Sequence, residues 1–186
     1  APAEIAGTQV TYRLPAVQTG RIDGKYDILA ATPITGADAL PSFDSFQQMT
    51  GTAPSLSLSF RHKCHALRIE VPAGRHHWNG ARITRLQIDF PVEVVGTVSF
   101  DAAHPDEAMS LADGSRSLTL DLSSPLTDEE NSYVWAFINP TAVSGDISFT
   151  AYSAEGYRSH TLTIPVDKML EAGHITPVSL TIPEEL

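Results

Sequence analysis

The sequence predicts an all-β fold, an antiparallel β-sandwich of about ten strands with one or two short helices. Three observations predict it: short runs of alternating apolar and polar residues, turn residues between the runs, and few helical periods. Val10, Tyr12 and Leu14 alternate with Thr11 and Arg13. Leu86, Ile88 and Phe90 alternate with Arg85, Gln87 and Asp89, and Val92, Val94, Val98 and Phe100 continue that phase beyond Pro91. Leu118, Leu120 and Leu122 repeat the pattern, and Val178, Leu180 and Ile182 close the chain in it. A period of two buries one face of a strand and wets the other, which is the habit of antiparallel sheets packed face to face.

Two segments depart from simple alternation. Tyr133 to Ile138 is apolar on both parities and predicts a central strand covered on both faces. Leu56, Leu58 and Phe60 occupy even positions, whereas Leu67, Ile69 and Val71 occupy odd ones. Either one strand carries a bulge between Arg61 and Ala66, or two strands meet at a tight break there. Ser42 to Met49 could form a short helix, and so could Val166 to Ala172, stopped by Gly173. Pro33 to Ser55 is the longest irregular stretch and is expected to cap one end of the sandwich. No repeat, low-complexity tract or linker divides residues 1–186, so they are read as a single domain.

Composition narrows the function. The formal charge is -10, from 12 basic and 22 acidic residues. A surface of that sign repels phosphate backbones and anionic headgroups, so no nucleic-acid partner is expected. Cys64 is the one cysteine, which rules out an internal disulfide and leaves the compartment open. No apolar run approaches the roughly 20 residues of a membrane-spanning helix. The chain begins at Ala1 without a signal-like stretch and is read as a processed or trimmed fragment whose targeting segment, if any, lay upstream.

Several motifs together resemble a known family. Tyr26-Asp27-Ile28-Leu29-Ala30-Ala31 precedes Leu56 to Lys63 with its Phe60-Arg61-His62, and Ala66 to Val71 then alternates. Near the end, Leu162-Thr163-Ile164-Pro165 and Leu170-Glu171-Ala172-Gly173 lead into a last alternating strand. Over Gly24 to Ile182 the chain resembles the fimbrillin-like surface proteins of Bacteroidetes. That resemblance implies a transthyretin-like, Greek-key sandwich and export to the cell surface, outer membrane or exterior. It also implies a lipoprotein anchor upstream of this chain, and service as a fimbrium (pilus) subunit or in cell adhesion. The partners it implies are pilus subunits or surface proteins of host or bacterium. Such subunits polymerise by strand donation, so residues 1–14 or the strand from Ile175 are expected at an exchangeable sheet edge.

Candidate chemistry is sparse. His62, Cys64 and His65 are zinc-ligand types, yet three ligands without a second cluster are too few. They are read as a buried thiol and a histidine satisfied at the strand irregularity. The loop Arg75-His76-His77-Trp78 is the candidate ligand or partner loop, because Trp and Arg are frequent anchors at interfaces. Asp101, His104, Asp106 and Glu107, like Asp128, Glu129 and Glu130, lack calcium-loop spacing and are read as solvated turns. No nucleophile elbow, zinc-protease motif or phosphate loop is present, so no catalytic, cofactor or metal residues are assigned. The expectation is a non-enzymatic structural or adhesive surface protein that uses no cofactor. The alternative is a carbohydrate-binding sandwich module or an accessory domain of a secreted enzyme, with glycans as partners. Tyr12, Tyr133, Trp135, Tyr152 and Tyr157 are the aromatics that would carry it.

Overall fold

The computed structural model describes residues 4–6, 8–21, 26–27, 29–31, 60–74, 82–126 and 129–182. Among them are fourteen strands and no helix. In chain order these are β1 (Glu4–Ala6), β2 (Gln9–Leu14), β3 (Val17–Gln18), β4 (Leu29–Ala31) and β5 (Phe60–His62). They continue as β6 (His65–Val71), β7 (Ile83–Asp89), β8 (Val95–Asp101), β9 (Ser110–Ser115) and β10 (Ser117–Leu126). The last four are β11 (Ser132–Ile138), β12 (Thr141–Ser153), β13 (Leu162–Leu170) and β14 (Ile175–Ser179).

Three sheets carry the fold. One has the order β1-β2-β8-β9, a second β13-β12-β7-β10-β3 and a third β11-β6-β14, while β4 and β5 form a separate pair. The alternating runs pair as their phase requires. Leu118 faces Ile88 and Leu120 faces Leu86 across β10 and β7, and all four are fully buried. Val10 lies opposite Phe100 and Tyr12 opposite Val98 across β2 and β8. The inward residues of all three sheets merge into one apolar cluster, as a layered β domain requires. The expected all-β sandwich is therefore the observed architecture, with more strands than the alternation alone revealed.

Four local expectations need comment. First, Val166 to Ala172 is no helix, because Val166 to Leu170 continue β13. That strand pairs with β12 from Leu162↔Phe149 to Leu170↔Thr141, and nine cross-strand partners outweigh the weak local helix preference of Asp-Lys-Met-Leu. Second, β11 is not central. It stands at one end of its sheet, and Tyr133 is 52% exposed, whereas Ala136, Phe137 and Ile138 are buried. Third, the even-position phase holds on both sides of Pro91, but in two strands: β7 ends at Asp89 and β8 begins at Val95. Fourth, the irregularity at 61–66 is the tight break: β5 ends at His62, Cys64 sits in a bend, and β6 starts at His65. The second possible helix, 42–49, and the irregular stretch 33–55 lie outside the described residues.

Strand β9 has no clear alternation, and it forms because β8 offers it a bulged edge. The register shifts between Val95 and Thr97. A Cβ at Gly96 would stand 2.6 Å from the Ala112 carbonyl oxygen, so only glycine lets the two backbones approach this closely.

Candidate functional site

The five-stranded and three-stranded sheets are tied on one side and open on the other. On the tied side, β3 pairs in parallel with β10, and the chain then runs past the outer edge of β11. The buried Gln18 side chain donates from Nε2 to the Phe137 carbonyl (2.8 Å), and Phe137 N donates to Gln18 Oε1 (2.9 Å). One residue pair further, Trp135 N donates to the Gly20 carbonyl at 2.8 Å. A side-chain amide thus replaces a missing backbone strand at this edge.

On the open side, β13 and β14 are the end strands of their sheets. Between them runs a groove of about 420 Å³, whose apolar lining includes Leu67, Phe149, Ile164 and Val166. The inward-facing Leu162, Ile164, Val166 and Val178 are only half-buried. Among the described residues, one side-chain bond joins the two strands: Lys168 Nζ donates to Thr176 Oγ1 at 3.1 Å. Pro165 and Pro177 lie within the two strands, in the edge positions where proline is tolerated. The first and last strands, β1 and β14, are each at a sheet edge.

The outer face of the three-stranded sheet is built in three rows. Register places Trp135 beside Arg68 and Pro177, Tyr133 beside Glu70 and Ser179, and Phe137 beside Ala66 and Ile175. The alternate residues Val134, Ile69 and Leu67 point into the core. Phe137 is buried although it shares the outer parity, because the Tyr26 ring packs over it with centroids 6.5 Å apart. The Arg68 guanidinium lies 5.9 Å from the Tyr133 ring centre, and the Tyr133 hydroxyl donates to Glu70 Oε1 at 3.2 Å. Beyond Trp135 the face ends in a cavity of about 170 Å³, bordered also by Ile175, His174, His62 and Asp27.

The residues flagged for zinc do not converge. His62 Nδ1 meets Asp27 Oδ2 at 2.5 Å. The Cys64 thiol is buried against the Tyr12 hydroxyl (3.1 Å) and the Tyr26 carbonyl (3.4 Å). His65 points elsewhere: its Nδ1–H donates to the Glu171 carbonyl (2.8 Å), which leaves Nε2 to accept from Thr176 Oγ1 (2.9 Å). Among the described residues, no group of three or more His, Cys, Asp or Glu side chains is arranged to hold a metal ion. Between His62 and Cys64, Lys63 is buried, and its Nζ donates to the carbonyls of Pro105 (2.8 Å) and Glu107 (2.7 Å) over the Phe100 ring.

The acidic loop after β8 folds on itself. Asp101 accepts from Ala103 N and meets His104 Nδ1 at 3.0 Å. These bonds hold the Asp101 carboxyl below its usual range and raise the His104 imidazole above its own. Arg75, His76, His77 and Trp78 lie outside the described residues. Of the flagged aromatics, Tyr12 is buried, Tyr133 and Tyr157 are exposed, and Trp135 and Tyr152 are half-buried. Arg68, Ile175 and Pro177 carried no signal of their own, because the β6–β14 register that sets them beside Trp135 is invisible in the sequence.

His65 gives the site a pH dependence. Burial, first of all, lowers its pKa below the ordinary 6.5, against the opposing pull of the Glu171 carbonyl. The unfolded chain therefore takes up this proton before the folded one does. The stability linked to His65 is complete above pH ~6.5 and is lost as pH falls through the lower folded value. A His65→Asn variant keeps a donor for Glu171 but cannot titrate. It is expected to cost about 1 kcal/mol at pH 7.5 and to lose less stability than the parent between pH 7 and 5, measured by thermal melts.

No family profile matches this sequence, and no curated protein matches it in sequence either. Solved structures do match in shape. One, from Bacteroides uniformis and provisionally described as a cell adhesion protein, aligns over 94% of this chain with a TM-score of 0.58 at 15% identity. The chain shares the fold of that protein. A second, from Bacteroides ovatus and described in the same words, aligns over 96% of the chain at 18% identity with a TM-score of 0.48. The chain spans 62% and 65% of their respective lengths, under two thirds of each. Among the described residues, no helix is long and apolar enough to cross a membrane.

Proposed function

We propose that this chain is a non-enzymatic structural or adhesive module of a cell-surface protein. The observation that carries the reading is the open seam between β13 and β14, where half-buried apolar side chains line a groove between two end strands. Apolar surface left uncovered between two strand edges is suited to contact with another chain. The fold shared with a protein provisionally described as a cell adhesion protein supports the same reading. So does the placement of β1 and β14 at sheet edges, where a pilus-type subunit would exchange a strand. A surface location and attachment through an upstream anchor follow from this reading.

Beads coated with the chain, set against beads coated with an unrelated β-sandwich, test it directly. The expected result is selective adherence to bacterial or epithelial cells, or growth of the scattering mass of the free chain with concentration. A strict monomer at high concentration whose beads adhere to nothing overturns it.

A further inference from the structure

The outer face of the β11-β6-β14 sheet presents apolar rings and aliphatic groups where a solvated strand face would be polar. Tyr133 is 52% exposed and Ile175 54% exposed, with Trp135 and Pro177 in the row between theirs. We propose that this face binds a neutral glycan built of hexopyranose rings. The proposal rests on the adhesive reading and names the class of partner.

Size, chemistry and charge favour that ligand. Three strands and three same-face positions span roughly 10 by 13 Å between Cβ atoms. That is far below the ~800 Å² per partner of a stable protein interface, so the patch suits a small ligand. Tyr133 and Trp135 are two residues apart on one strand, about 7 Å along it, so their rings offer neighbouring apolar surfaces. A pyranose ring has an apolar C–H face and a rim of hydroxyls, and it needs aromatic surface flanked by hydrogen-bonding groups. Those groups stand ready here. Arg68 makes no ion pair among the described residues and is held over the Tyr133 ring, so its guanidinium donors are available to hydroxyl oxygens. The Glu70 carboxylate is fixed by the Tyr133 hydroxyl and can accept from hydroxyls. Because these contacts are already made, little side-chain freedom is lost on binding.

Charge then selects among glycans. Arg68 and Glu70 cancel on the face itself, and the chain around them carries a net charge of -10. That field repels sialylated and sulfated chains and leaves neutral ones unaffected. A peptide strand is disfavoured as the occupant for a separate reason. Strand addition at β11 would need its outer backbone edge, and Gln18 and Gly20 already occupy that edge.

The test is a glycan array probed with the full chain, with neutral oligosaccharides beside sialylated and sulfated ones. Capture of neutral glycans is expected. Tyr133→Ala and Arg68→Gln, both at exposed positions that tolerate change, are each expected to weaken capture about tenfold. Tyr157→Ala, an exposed aromatic on the β12–β13 turn, is expected to bind like the parent. Thermal melts establish that each variant is folded. In a Trp78→Phe background, the remaining tryptophan, Trp135, is expected to change its emission on titration with a captured oligosaccharide. The proposal is overturned by capture of no glycan, by capture of acidic glycans alone, or by parent-like binding of both face variants. Beads that adhere while no glycan is captured sink this site and leave the adhesive reading standing; glycan capture by a strict monomer whose beads adhere to nothing does the reverse.

Discussion

Replacing Gln18 with leucine is expected to remove about 3 kcal/mol of folding stability. In a chain of this length that is a fall of about 10 °C in melting temperature. The substitution keeps the size of the side chain and deletes its amide. Two buried backbone groups then lose their partners at once, the N–H and the carbonyl of Phe137. An unpaired buried group costs roughly 1–3 kcal/mol, far more than a surface hydrogen bond returns. Gln18→Glu separates the two halves of the effect: it keeps an acceptor for the Phe137 N–H and sets a carboxylate against the carbonyl. It is expected to destabilise as well, and to do so more strongly at pH 7 than at pH 4. Urea denaturation checks both variants, and a Gln18→Leu midpoint equal to the parent's would show that β11 needs no strand substitute.

Lys63→Met is expected to cost about 2 kcal/mol, because the carbonyls of Pro105 and Glu107 lose their shared donor. The loss is smaller than for Gln18 for two reasons. Burial already works against the ammonium, lowering its pKa from the ordinary 10.5. Methionine also restores the apolar part of the stem over Phe100. The damage is expected to be local, so amide exchange should accelerate between Ala102 and Ser110 while Leu118 and Leu120 in the core stay protected. Uniform acceleration across the chain would mean that Lys63 supports the whole fold and not one loop.

The fold was legible wherever burial on one face imposed a period of two. Leu86–Ile88 and Leu118–Leu120 announced their strands, and they pair with each other in the structure. What misled was local preference. Asp167-Lys168-Met169-Leu170 followed by Gly173 reads as a helix with its stop, yet Ile164, Val166 and Leu170 keep the inward parity of a strand. Only the pairing with β12 decides between the two, and pairing is a tertiary fact. Strand β9 was missed for a related reason: Ser-Leu-Ala-Asp-Gly-Ser carries no alternation, and its place depends on the bulge at Gly96.

The candidate face was half legible. Tyr133 and Trp135 are two of the five aromatics the sequence offers for a sugar-binding face, and nothing in the sequence sets them apart from Tyr12, Tyr152 and Tyr157. Their polar neighbours did not stand out, because they come from residues far away in the chain. Gln18 gave no signal at all, since a buried glutamine that mimics a strand looks in sequence like any polar residue beside a turn.

The parallel pairing of β14 with β6 sets an order of events. Ile175 stands beside Ala66 and Ser179 beside Glu70, so the third strand of this sheet arrives more than a hundred residues after the strand it joins. Until residues 175–182 leave the ribosome, one flank of β6 stays unpaired and the core positions filled by Leu180 and Ile182 stay empty. Contacts of such long sequence separation form slowly, because the loop-closure entropy is paid before they reward it. The three-stranded sheet, and the part of the core that Leu180 and Ile182 fill, is thus completed only after residues 175–182 have been made.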